Sequence, residues 1–138
     1  MQKLKLSQDQ YQKIINYCWQ EKPLEACGIL AGQIQEDVGE VKKIYLMENK
    51  ESSSQEYFME PEEQFEVFRD FREKDLELVS IFHSHPHTAA IPSDHDIQMA
   101  HYPEAIYLII SLENEGPSLR AYKIQNEDYQ EIEVVINK

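Results

Sequence analysis

The seven residues 26–32, Ala-Cys-Gly-Ile-Leu-Ala-Gly, form an unbroken apolar run between Pro23 and the polar Gln33. The run is short, small and apolar, so it reads as a buried strand. Such a strand needs neighbours and cover, and the rest of the chain has to supply them.

Ser7 followed by Gln10 has the form of a capping box, and Tyr11, Ile14, Ile15 and Cys18 recur at helical spacing. This predicts a first helix over 8–20, closed by Pro23. After the apolar run, Glu36-Asp37-Val38-Gly39 reads as a turn into a strand over 41–46, which makes a hairpin. Residues 47–60 are polar and serine-rich, and long for a loop within a compact domain; such loops are often functional or mobile. Pro61, with Glu62 and Glu63 in the first turn, opens a second helix whose Phe65, Phe68 and Phe71 form one core-facing stripe. A strand over 76–85 is expected to place Leu78, Ser80 and Phe82 on one face and Val79, Ile81, His83 and His85 on the other. A third helix should run from near Ser93 to just before Pro103. Strands over 105–111, 119–125 and 131–136 follow, with a turn at 114–117. This order predicts a mixed α/β or α+β domain with a largely antiparallel sheet.

At 138 residues, 41% of them hydrophobic, the chain has about one domain's length and enough apolar mass for a core. Thirteen Lys and Arg against 26 Asp and Glu give a formal charge of −13, which counts against nucleic acid and anionic lipid as partners. No run of about 18 apolar residues exists, and the opening residues lack a signal peptide's apolar stretch, so no membrane and a cytoplasmic location are expected. Cys18 and Cys27 sit outside any CxxC pair and are expected to be buried small hydrophobes.

Four of the five histidines, His83, His85, His87 and His95, fall within thirteen residues together with Asp94. Asp96 follows at once. Strand side chains repeat every second residue, so His83 and His85 project from one face, close enough for both imidazoles to bind one metal ion. Pro86 ends that row. Imidazole nitrogen plus carboxylate oxygen suits zinc, and a site with three protein ligands keeps a position open for water. Surface histidines in a polar loop, or a structural zinc site, are the plainer readings. A structural site would normally include cysteines, and neither Cys18 nor Cys27 is near in sequence. Ser93, with an acid three residues on, also has a plain role as a helix N-cap.

Hydrolysis by a metal-bound water needs a base, and a carboxylate usually serves. Among so many acids, Glu25 stands out at the entrance of the apolar strand, where an acid is costly unless it is paired, exposed at the end or used.

The segment Pro23-Leu24-Glu25-Ala26-Cys27-Gly28-Ile29-Leu30, then His83-Ser84-His85-Pro86, seven residues, and Ser93-x-x-Asp96, resembles the JAMM motif of MPN-domain metalloproteases. The element order fits essentially the whole chain. The resemblance implies one MPN domain over 1–138, with a sheet flanked by about three helices in a cytidine deaminase-like architecture. It implies one zinc ion per chain on His83, His85 and Asp96, Glu25 holding and deprotonating the catalytic water, and Ser93 stabilising the oxyanion. Asp94 falls two residues too early, and His87, His95 and His101 match no ligand position. Inactive relatives lose ligands or the Glu, whereas all five positions are filled here.

The compact length is similar to that of stand-alone prokaryotic members. The implied activity is that of an isopeptidase or peptidase cutting an amide bond at the C-terminal tail of a ubiquitin-like or sulfur-carrier protein. The tail's glycines would add as a strand beside a sheet edge, with the 47–60 loop as a flap. Two alternatives stand beside it: a non-catalytic MPN scaffold that binds ubiquitin-like proteins, and a zinc hydrolase acting on small peptides. A homodimer is left open.

Overall fold

The computed structural model describes all 138 residues. The apolar run lies in the first of two long strands joined by a tight hairpin, β2 (Cys27–Gln35) and β3 (Val38–Met47). Their turn is the two-residue Glu36-Asp37, both at positive φ, so the strand resumes at Val38 and not after Gly39. Gly32 is required by closeness: a Cβ there would collide with the Glu40 carbonyl of β3.

Five further strands complete the sheet. They are β1 (Lys3–Ser7), β4 (Glu77–His85), β5 (Ile106–Ser111), β6 (Ser118–Gln125) and β7 (Asp128–Asn137). They close into a barrel in the order β1-β3-β2-β4-β5-β6-β7, with β7 paired back to β1. The pairs β2–β3, β2–β4, β5–β6 and β6–β7 are antiparallel, whereas β1–β3, β1–β7 and β4–β5 are parallel. The expected largely antiparallel, mixed sheet is therefore present.

Closure was not expected, and it depends on β1, a strand missing from the sequence reading. Lys-Leu-Lys-Leu-Ser alternates over only five residues, with Leu4 and Leu6 buried. Every strand consequently has a partner on both sides, but β1 covers only Val38–Glu40 of β3, so Val41–Met47 keeps one edge without a strand partner.

Helix α1 (Gln8–Glu21) starts at the predicted capping box, with Gln10 N–H on Ser7 Oγ at 3.1 Å and Ser7 N–H on Gln10 Oε1 at 2.8 Å. Its Ile14, Ile15 and Cys18 pack with Leu4, Leu6, Leu30, Phe82 and Leu108 in one core cluster. Helix α2 (Pro61–Glu73) packs on the opposite face, against β3 and β4, where Phe71 joins Ile29, Ile81 and Ile109 in the second cluster. The Phe stripe points only partly inward. Phe71 is 1% exposed, but Phe65 is 67% exposed, because three-residue steps drift round the helix and leave Phe65 about 120° from Phe71, while Gln64, Val67 and Phe68 share the covered side.

Two more expectations change. A register shift opposite Leu30 and Ala31 makes Val79 an extra residue in β4, so Val79 joins the α1-side cluster with Phe82 while Leu78 packs on the α2 side. Beyond this bulge the alternation runs as predicted. The third helix, α3 (Asp94–Gln98), has only five residues and ends well before Pro103. No helix is long and apolar enough to cross a membrane.

Candidate metal centre and active-site cleft

His83 and His85 leave the C-terminal end of β4 on the α2-side face, one residue either side of Ser84. The buried Pro86 follows, and residues 86–92 cross to α3 without regular structure. That connection is pinned three times: His85 Nδ1–H donates to the Ala89 carbonyl at 2.8 Å, Ser111 Oγ–H to Thr88 O at 2.6 Å, and Tyr122 O–H to Ala90 O at 2.5 Å.

At its end Ser93 caps α3, its Oγ accepting from Asp96 N–H at 3.1 Å while Ser93 N–H donates to Asp96 Oδ2 at 3.0 Å. The capping box turns the Asp96 carboxylate back toward β4. Its oxygens lie 3.1 Å from His83 Nε2 and 2.9 Å from His85 Nε2, and the two Nε2 atoms are 3.2 Å apart. The plain reading of Ser93 as an N-cap holds, and the same cap sets the Asp96 carboxylate beside both imidazoles.

The donor set calls for a cation. The Ala89 carbonyl can only accept, so His85 carries a proton on Nδ1, and in its neutral form the ring presents a lone pair at Nε2 to an Asp96 oxygen that is also an acceptor. Burial lowers the His83 pKa and keeps that ring neutral, whatever Asp96 does to oppose it. For His85 burial pulls downward as well, but its bonds to Asp96 and to Ala89 outweigh it and raise the pKa. Burial would raise Asp96, yet the two imidazoles and the Ser93 N–H hold it well below the usual carboxylate range.

An ionised carboxylate and two imidazoles, all buried, thus converge on one point. Tetrahedral zinc with bonds of about 2.0–2.1 Å places its ligand atoms about 3.3 Å apart, close to the spacings here. The residues fit zinc. His83 Nδ1 has no polar partner; the ring is held instead by stacking on Tyr57, centroids 4.7 Å apart.

Glu25 enters from the other side. It precedes β2 and is 3% exposed, and its Oε1 has no hydrogen-bond partner. Burial pushes its pKa up to about 8, against the pull of His85. The residue after it, Ala26, is bonded through N–H to Ser84 Oγ at 2.8 Å and through its carbonyl to Ser84 N–H at 3.0 Å. The serine between the two histidines therefore ties β4 to the residue next to Glu25, a link that sequence reading missed.

Glu25, His85 and Ser93 line one cleft of about 420 Å3, together with Ser54, Gln55, Glu56, His87, Thr88, Asp94 and His95; none is hydrophobic. His87 is exposed on the rim, His95 lies 3.7 Å from Glu56, and the exposed His101 lines a separate small pocket with Tyr57 and Met99. Cys18 and Cys27 are buried and free, their thiols pushed up to about 12 by burial.

The family of prokaryotic homologs of the JAB domain matches residues 7–125, and the chain belongs to that family. Curated relatives include the CysO-cysteine peptidase of Mycobacterium tuberculosis, 35% identical over 112 residues, covering 80% of this chain and 75% of that protein. The desampylase of Pyrococcus furiosus is 31% identical over 115 residues, covering 82% and 76%. Among solved structures, a protein from Desulfitobacterium hafniense superposes with a TM-score of 0.90 at 32% identity, over 98% of this chain and 93% of that one. A protein from Salinibacter ruber shares the fold, with a TM-score of 0.74 at 24% identity over 97% and 92%.

Proposed function

We propose that this chain, as a single catalytic domain over 1–138, is a zinc-dependent peptidase or isopeptidase. Its substrate is an amide bond at the C-terminal tail of a ubiquitin-like or sulfur-carrier protein. The observation that carries the reading is Glu25: a buried carboxylate with an unpartnered oxygen, lining the same cleft as His85 and Ser93. An uncompensated buried acid costs stability unless it is used. The names of the two relatives support the substrate class.

His83, His85 and Asp96 would hold the zinc. Bound there, it lowers the pKa of a water toward about 7 and polarises a carbonyl. Glu25 accepts the water's proton as the water oxygen bonds to the scissile carbon. It returns that proton to the amine nitrogen as the carbon–nitrogen bond breaks.

Ser93 Oγ accepts from the Asp96 N–H, which leaves its own hydrogen free to donate to the carbonyl oxygen as that becomes negative. Asp96 holds one oxygen toward each histidine and cannot turn, because Ser93 N–H fixes it. A cleft wall without apolar side chains and without Lys or Arg suits an extended polar tail. The two free, buried cysteines favour a reducing compartment, and the reading keeps the protein in the cytoplasm.

The test combines elemental analysis with cleavage of carrier fusions that end in an extended Gly-Gly tail. One equivalent of zinc and loss of cleavage in Glu25→Gln are expected. Retained cleavage in that variant sinks the mechanism.

A further inference from the structure

Glu25's backbone is not held by its own strand. Asn49, 6% exposed, lies in the irregular segment after β3 and spends its whole amide on two jobs. Its Oδ1 accepts from the N–H groups of Glu51 and Phe58, both at 3.0 Å, which folds residues 49–58 back on themselves. Its Nδ2 donates to the carbonyls of Glu25 at 3.1 Å and Glu56 at 2.9 Å, and more weakly to Ser53 at 3.4 Å. The Ser53 carbonyl in turn accepts the Glu25 N–H at 2.8 Å. Both backbone polar groups of Glu25 therefore end on this loop.

We propose that Asn49 is a positioning residue for Glu25 and for the cleft wall at residues 54–56. A side chain that only capped the loop would bond within 49–58. The bond to Glu25 leaves the loop and ends on a residue 24 positions earlier, the one that bears the buried carboxylate. Only a primary amide has two hydrogens and two lone pairs on one short planar head, so Asp, Ser and Ala at this position each lose part of the clamp. Residues 47–60, read from sequence as a candidate flap, are in this geometry tied through Asn49 to Glu25 and back on themselves. By setting where the Glu25 backbone sits, Asn49 sets the distance from the carboxylate to His85 and Ser93. Misplacement of a catalytic group by about 1 Å can cost about a hundredfold in rate.

The inference rests on Glu25 being the base, and its test separates the two ideas. In zinc-loaded protein without substrate, Asn49→Ala should speed hydrogen exchange at the Glu25 amide by about tenfold or more and leave zinc affinity within about twofold, because the ligands sit on β4 and α3. With a carrier fusion, kcat should fall by about 30-fold and KM change by less than about threefold. Lys50→Ala is the control. It removes only exposed ion pairs to Glu48 and Glu60 in the same segment, and it should leave kcat within about twofold.

Unchanged kcat or unchanged Glu25 protection in Asn49→Ala overturns the proposal, and so does loss of zinc together with activity. If Asn49→Ala fails to fold, Asn49→Asp keeps the accepting oxygen and reverses the donor. Wild-type kcat in that variant also overturns it. If wild-type protein cleaves no carrier, the proposed function fails, and the exchange measurement alone decides the role of Asn49.

Discussion

The two halves of the cleft are built in different ways. The ligand half, His83, His85 and Asp96, comes from fourteen consecutive residues, 83–96, and is set by strand alternation plus one capping box. The carboxylate half has Glu25 at the mouth of β2, held by Ser53 and Asn49 from a loop and, through Ala26, by Ser84 from β4. One half is local chemistry. The other exists only when three distant segments pack, so the ligand half should survive perturbations that disable its partner.

The largest expected effects contrast the halves directly. Asp96→Ala should abolish zinc binding and activity together, and should also lower stability by about 1 kcal/mol through loss of the α3 capping box. Glu25→Gln should retain a full equivalent of zinc while kcat falls about a thousandfold. Elemental analysis and single-substrate kinetics read both, and zinc loss in Glu25→Gln would erase the distinction between the halves.

Ser93→Ala sits at the seam. Losing the carbonyl donor should cost about a hundredfold in kcat, and losing the N-cap about 1 kcal/mol in urea unfolding. A stability loss without the kinetic one would leave Ser93 a cap alone. Tyr122→Phe perturbs only the ligand half, by freeing the Ala90 carbonyl and loosening the 86–92 connection. Zinc affinity should drop about tenfold in a competition titration, with kcat of the zinc-loaded enzyme unchanged.

The gentlest probe is pH, applied to metal-free protein. Glu25 has a folded pKa of about 8, raised by burial from the 4.5 of an ordinary Glu. Between those values the folded state keeps a proton that the unfolded state has released. The stability that this protonated acid provides is therefore full below pH 4.5 and lost as pH rises toward 8, by at most about 1.4 kcal/mol per pH unit. Urea midpoints in chelator should show this fall in wild type relative to Glu25→Gln. Parallel pH profiles would mean that Glu25 is solvated.

What could be read from sequence follows the same division. Both capping boxes, the helix opening at Pro61 and the His-x-His face depend on neighbours within four residues, and each appears where the pattern puts it, while the hairpin turn is two residues shorter than read. The spacing of Phe65, Phe68 and Phe71 reads as one stripe, but each three-residue step drifts by about 60°, so Phe71 and part of Phe68 reach the core and Phe65 does not. The bulge at Val79 leaves no mark in a run of apolar residues, because either face would accept a valine.

Asn49 looks like any polar residue in a serine-rich loop, since its value lies in carbonyls that only the fold brings to it. Ser84 is hidden the same way between two histidines.

By itself, then, the sequence marked the side chains that the proposed chemistry uses and the local turns that orient them, because spacing along a strand or a first helical turn is a short-range geometric constraint. Tertiary structure alone decided that β1 closes the sheet by pairing in parallel with both β3 and β7, while Val41–Met47 of β3 keeps an edge without a strand partner. It also decided that Glu25 is buried and lines one cleft with His85 and Ser93. Backbone hydrogen bonds between distant segments have no sequence signature, since every residue but proline offers the same N–H and C=O.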